Sequence, residues 1–138
     1  MQVARVSDTM RAMMQPRQTL ILVIDDEEDF RAILQHVLTK AGYRVVQASG
    51  GLEGLERFLE EKPDLVVVDL SMPDIDGFEV TRRIRSSTRG GDTPVVMSTV
   101  RSQLLTVSEG LSVGVTDYVL KPFETEDFLA RVGRALRP

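Results

Sequence analysis

Short, unbroken apolar runs alternate along this chain with segments of helical period, and few folds accommodate that order. Leu20-Ile21-Leu22-Val23-Ile24, Leu65-Val66-Val67-Val68, Val95-Val96-Met97 and Tyr118-Val119-Leu120 are each too short for a helix. Runs of this kind are expected of strands buried on both faces, as in a parallel sheet covered by helices. Tyr43 to Ala48 is strand-like but more polar, which places it at a sheet edge. Between the runs, Phe30, Leu34, Val37, Leu38 and Ala41 share one helical face, and Gly42 stops that helix. Leu52, Leu55, Phe58 and Leu59 mark the next helix, which ends before Pro63. Val80 and Ile84 mark a third, and Phe128, Leu129, Val132 and Leu136 mark the last. Arg101 to Val113 reads as a further helix, weak because it is rich in Ser, Thr and Gly. Five strands alternating with five helices define a doubly wound α/β domain with helices on both faces of a parallel sheet.

A chain of 138 residues suffices for one such domain and not for two. Residues 1–18 have no apolar core of the kind a signal peptide needs, and we expect them to form a flexible N-terminal extension to a domain over residues 19–138. No apolar run approaches the roughly 18 residues of a membrane span, so no membrane insertion is expected. The absence of cysteine removes disulfides and thiolate chemistry, and a cytoplasmic location is the expectation. His36 is the single histidine, which leaves no histidine-rich metal site or Ser-His-Asp triad. The net charge of −4 argues for no direct nucleic acid binding, since phosphate affinity needs clustered Lys and Arg.

The polar residues stand out by where they fall. Asp25 and Asp26 follow the first strand, Asp69 ends the third, Thr99 lies just past the fourth, and Lys121 ends the fifth. In a parallel sheet these are all carboxyl ends, so they gather along the edge where open α/β sheets bind ligands. Three converging carboxylates repel one another and raise at least one pKa. A hard divalent cation relieves that repulsion, and Mg²⁺ suits a few carboxylates with water. Each residue also has an ordinary reading. Asp26 could begin a helix cap, Lys121 could be a solvated charge, and Thr99 could start a turn. Together they form a phosphoryl-handling set. Asp69 is the candidate nucleophile, with Mg²⁺, Lys121 and the Thr99 hydroxyl neutralising or binding the transferring oxygens. A cis peptide at Lys121-Pro122 is expected, because a sharp turn there aims Lys121 into the acidic pocket.

The strings Leu22-Val23-Ile24-Asp25-Asp26-Glu27, Val68-Asp69-Leu70-Ser71-Met72-Pro73-Asp74-Ile75-Asp76-Gly77 and Asp117-Tyr118-Val119-Leu120-Lys121-Pro122-Phe123 resemble the receiver domains of two-component response regulators. The resemblance covers about residues 19–137. It implies a flavodoxin-like fold with sheet order 2-1-3-4-5 and phosphotransfer from a phosphohistidine to Asp69. It further implies that Asp26, Asp69 and the backbone carbonyl of Ser71 ligate Mg²⁺, with Asp25 acting mainly through metal-bound water. Thr99 and Tyr118 match the family's switch residues, which alter the face around the fourth helix, fifth strand and last helix. The implied partners are a sensor histidine kinase or histidine phosphotransfer protein and a downstream protein target. Two positions depart from the usual pattern: Ser98 replaces an apolar residue before the switch Thr, and Val100 replaces a small Ala after it. A receiver of this kind is a phosphoacceptor and not a turnover enzyme. A phosphohydrolase with an Asp nucleophile is the alternative, but such enzymes place a second acid or base two residues after the nucleophile, where this chain has Ser71. A phosphorylation-independent adaptor is the third reading, and it does not require the acidic pair, Asp69 and Lys121 that are all present here.

Overall fold

Each apolar run forms a strand in the computed structural model, which describes residues 18–87, 91–100 and 113–137. The elements in chain order are β1 (Leu20–Ile24), α1 (Glu28–Lys40), β2 (Arg44–Ala48), α2 (Gly51–Glu61), β3 (Leu65–Asp69), α3 (Gly77–Ser86), β4 (Val95–Val100), β5 (Asp117–Lys121) and α4 (Thr125–Leu136). All strand pairs are parallel, in the order β2-β1-β3-β4-β5, with the more polar β2 at one edge as its sequence indicated. This is the doubly wound, flavodoxin-like arrangement, with four helices among the described residues. The fifth, expected over Arg101 to Val113, lies outside those residues apart from Val113. The extension expected over residues 1–18 likewise lies outside them apart from Gln18.

The two faces of the sheet carry separate cores. Ile21, Val23, Leu65, Val67, Val96 and Val119 point to one side and pack against Leu34 and Leu38 of α1 and Phe128 and Val132 of α4. Leu22, Ile24, Val66, Val68, Val95 and Met97 point to the other and pack against Phe58 of α2 and Val80 and Ile84 of α3. Strand periodicity divides each apolar run between these cores, which is why the runs are unbroken. At the end of α1, Gly42 takes φ +101, a left-handed conformation that a side chain disfavours, and its N–H donates to the Thr39 carbonyl. Ala41, read as part of the buried face, is instead the exposed cap of that helix.

The buried face of α2 differs from the expectation. Leu52 and Leu59 are 51% and 59% exposed, while Gly51, Gly54 and Phe58 are buried, Gly51 against Ile75 and Val80 and Gly54 against Ile24 of β1. The reason is proximity. A Cβ on Gly54 would fall 2.4 Å from Cδ1 of Ile24 and 2.9 Å from its Cγ2, so the helix lies against β1 at a distance only glycine permits. Counting large apolar residues along a helix misses a face built from small ones. Gly54→Ala is therefore expected to destabilise the protein by about 1–2 kcal/mol, the overpacking cost less the gain in helix propensity. Leu59→Ala is expected to change stability by less than about 0.5 kcal/mol. Urea unfolding of the two variants checks this, and a larger loss for Leu59→Ala would place the helix the other way round.

β4 is longer than its apolar run. It continues through Ser98, Thr99 and Val100, because Thr99 and Val100 find register partners in Leu120 and Lys121 of β5. Thr99 therefore lies within the strand and not just past it.

Candidate functional site

β1, β3 and β5 end side by side, and side-chain alternation turns Asp25, Asp69 and Lys121 toward the α1 and α4 face. They follow in step Ile21 and Val23, Leu65 and Val67, and Val119, which all pack there. Lys121 Nζ lies 2.7 Å from Asp25 Oδ2, 3.5 Å from Asp69 Oδ1 and 3.6 Å from Glu27 Oε1. The ammonium also sits 4.0 Å from the centroid of the Phe30 ring, which meets Phe123 edge-on, and Phe123 stacks on Phe128. This aromatic row gives Lys121 an apolar bed and leaves its head among the carboxylates. The peptide before Pro122 is cis, as expected.

Asp25 is 1% exposed, and its Oδ1 accepts a hydrogen bond from the Glu27 N–H at 2.9 Å. Arg31 donates to the Asp25 carbonyl at 2.7 Å and so fixes the turn from β1 into α1. Burial, together with the negative charges of Asp25 and Asp26, pushes the Asp69 carboxyl up to about 6 although Lys121 pulls it down. For Lys121 burial alone would lower the pKa. The hydrogen bond to Asp25 and the charges of Asp69, Asp25 and Glu27 outweigh it and hold the ammonium above its usual range. The cluster thus holds more negative charge than its one lysine balances.

Of the residues singled out from sequence, the fold brings Asp25, Asp69 and Lys121 together. Asp26 is exposed, and it acts on Asp69 through its charge. The helix-cap reading of Asp26 does not hold, because Glu27 is the N-cap residue of α1, which begins at Glu28, and no side chain caps it. Carboxylate oxygens of Asp25, Glu27 and Asp69 lie within 4.8 Å of one another, a spacing that suits a shared hard cation. Glu27 was not singled out beforehand. The signal available was its place in the acidic run Asp25-Asp26-Glu27, which periodicity alone does not rank. Thr99 is buried in β4, where its Oγ1 donates to the Val100 carbonyl at 3.3 Å. It follows Val95 and Met97 on the α2 and α3 side, where Tyr118 also packs, partly buried. Ser71 is exposed just beyond β3. A shallow groove beside Lys121 is lined by Phe30, Ile33, Val100, Pro122 and Phe123.

This fold and site define a class. Residues 21–133 match the response regulator receiver domain family, and the chain belongs to it. The chain is 40% identical over 124 residues to the probable transcriptional regulator ycf27 of Porphyra purpurea, covering 90% of this chain and 50% of that protein. It is 40% identical over 117 residues to the DNA-binding dual master transcriptional regulator RpaA of Synechocystis, covering 85% of this chain and 48% of that one. Among solved structures, chemotaxis protein CheY4 of Vibrio cholerae superposes with a TM-score of 0.82 at 31% identity, over 86% of this chain and 99% of CheY4. The chain spans about half the length of the two regulators. Receiver domains of response regulators are not generally classified as enzymes.

These relatives overturn the expectation of no direct nucleic acid binding. Regulators of this kind are named for transcription, and one of them for DNA binding. The charge of −4 sums 138 residues that align with half of each regulator, so it does not govern contacts made elsewhere in such a protein. Among the described residues no helix is long and apolar enough to cross a membrane.

Proposed function

We propose that residues 19–138 are a phosphoacceptor receiver of a two-component phosphorelay, taking a phosphoryl group from a phosphohistidine onto Asp69. The observation that carries this reading is a buried Asp69, its carboxyl raised to about 6, with Lys121 Nζ 3.5 Å away at the edge of the sheet. An oxygen of the Asp69 carboxylate bonds to phosphorus, the phosphorus–nitrogen bond breaks, and its electron pair returns to the donor imidazole. Lys121 faces the phosphoryl oxygens and offsets their charge. Asp69, Asp25 and Asp26, with the Ser71 carbonyl, are the residues to hold Mg²⁺, and Glu27 joins them on the proximity of its carboxylate. Bound there, Mg²⁺ supplies positive charge to the transferring oxygens. Thr99 and Tyr118 then report the phosphorylated state to a partner through the face around β5 and the last helix. For a protein of the length of its relatives, a transcriptional output is the favoured target.

Incubation with a small phosphodonor and Mg²⁺, followed by intact mass measurement, tests this directly. One labile phosphoryl group per chain is expected. No gain of mass would favour an adaptor without phosphorylation, and turnover of many equivalents would favour a hydrolase.

The groove beside Lys121 bears on the donor. Ile33 is 53% exposed at its rim, and Val37, one turn along α1, is half-buried. The pair offers an apolar contact for a helical, histidine-bearing partner. Ile33→Ala is expected to lower transfer from the phosphorylated histidine protein about fivefold while labelling by a small donor stays the same. Equal transfer rates for both chains would remove Ile33 from the docking surface.

A further inference from the structure

The Ser98 hydroxyl is, among the described residues, the buried side-chain oxygen that lacks any hydrogen-bond partner. Ser98 is 1% exposed, so water does not compensate it from bulk solvent. A buried donor left unmade is costly, and native proteins rarely keep one without a use. Its neighbours suggest the use. In the ladder of parallel strands Ser98 is paired with Asp69 on one side and Val119 on the other. Paired residues point to the same face, and Val96, two residues earlier, packs with Leu65, Val67 and Val119 against α1 and α4. Ser98 therefore shares a face with Asp69 and Lys121, while Thr99 takes the opposite one. Val119 has no polar atom to offer, which leaves Asp69 as the polar side chain directly across the ladder.

We propose that Ser98 is a further hydrogen-bonding residue of the phosphoacceptor site, its hydroxyl donating to the Asp69 carboxyl group once that group carries phosphate. The inference rests on the reading of Asp69 as the phosphoacceptor. In hydrolysis of the acyl phosphate a water oxygen bonds to phosphorus and the bond from phosphorus to the Asp69 carboxyl oxygen breaks. Its electron pair returns to the carboxylate, and the protons of the water leave with inorganic phosphate or to solvent. A donor on that carboxyl stabilises the charge developing there, so Ser98 shortens the life of the phosphorylated state.

The test uses the full chain and three variants, Ser98→Ala, Ser98→Thr and Ser98→Val. Each is labelled with acetyl phosphate and Mg²⁺, freed of donor, and followed by intact mass. Thr and Val match in shape and differ in the hydroxyl, so they separate hydrogen bonding from packing. Decay is expected to be about fivefold slower in Ser98→Ala than in the parent, and about fivefold slower in Ser98→Val than in Ser98→Thr. The unlabelled Ser98→Ala protein is expected to melt no lower than the parent, since it loses only an idle donor. Equal decay of the Thr and Val variants overturns the proposal, as does parental decay of the Ala variant or a clear drop in its unlabelled melting temperature. A parent chain that takes no label would instead fail the phosphoacceptor reading itself, and this inference with it.

Discussion

Asp69→Asn is expected to abolish labelling by any phosphodonor and, at the same time, to make the protein more stable above pH 6. The second effect follows from the raised carboxyl. Asp69 titrates at about 6 in the folded chain against 3.8 for an ordinary Asp. Below pH 4 the group is protonated in both folded and unfolded chains and contributes nothing. Between 4 and 6 the folded chain binds the extra proton, so stability falls as pH rises. Above 6 the folded chain holds an ionised carboxylate against burial and Asp25, at a cost of roughly 1–3 kcal/mol once screening at the sheet edge is allowed for. Asn removes that cost. Urea unfolding from pH 4 to 8 should show the variant gaining over the parent as pH rises through 6, with the curves meeting near pH 4. Mg²⁺ should stabilise the parent in the same upper window by binding the folded carboxylates, and it should do so less in Asp69→Asn. Parallel curves at all pH values would mean that Asp69 is not under electrostatic stress.

Lys121→Met should act in the opposite direction. Met keeps much of the apolar stem against Phe30 but removes the ammonium 2.7 Å from a buried Asp25. Asp25 would then face Asp69 and Glu27 without the ammonium that lies among them. Breaking a buried pair by removing one member costs about 3 kcal/mol. Because the Lys121 pKa is raised, its stabilisation is fully present at neutral pH and fades only in strongly alkaline solution. The loss should therefore be plain at pH 7 and shrink as pH falls through about 6, where Asp69 takes up its proton. Labelling by a small phosphodonor should slow at least tenfold, since the charge on the transferring oxygens loses its partner. Denaturant melts at pH 7 and 4.5 with initial labelling rates decide the matter. A loss under about 0.5 kcal/mol at pH 7 would show that solvent, not Lys121, balances the cluster.

The two variants pull stability apart at one site. The same convergence of strand ends that burdens Asp69 also fixes Lys121.

Much of this could be read from the residues alone. Unbroken runs such as Leu65 to Val68 required strands covered on both faces, and the polarity of Arg44 and Gln47 required an edge strand. Asp25, Asp69 and Lys121 each sit where such a run stops, so parallel strands had to bring them to one end of the sheet. Other features were decided in three dimensions. Leu52 and Leu59 read as core, yet glycines take the buried face of α2, because how closely a helix approaches a sheet depends on what the facing strand presents. Thr99 reads as a loop residue, yet β5 offers it a register partner and extends the strand. Glu27 brings a carboxylate oxygen within 4.8 Å of those of Asp25 and Asp69, because the turn into α1, held by Arg31 and the Asp25 side chain, sets how the carboxylate run meets the strand ends. Ser98 looked like a small deviation in an apolar strand until pairing placed its unpartnered hydroxyl across from Asp69. Periodicity reports the face a side chain takes within its own element. Which atoms then meet is set by distances between elements, and those exist only once the sheet and its helices have packed.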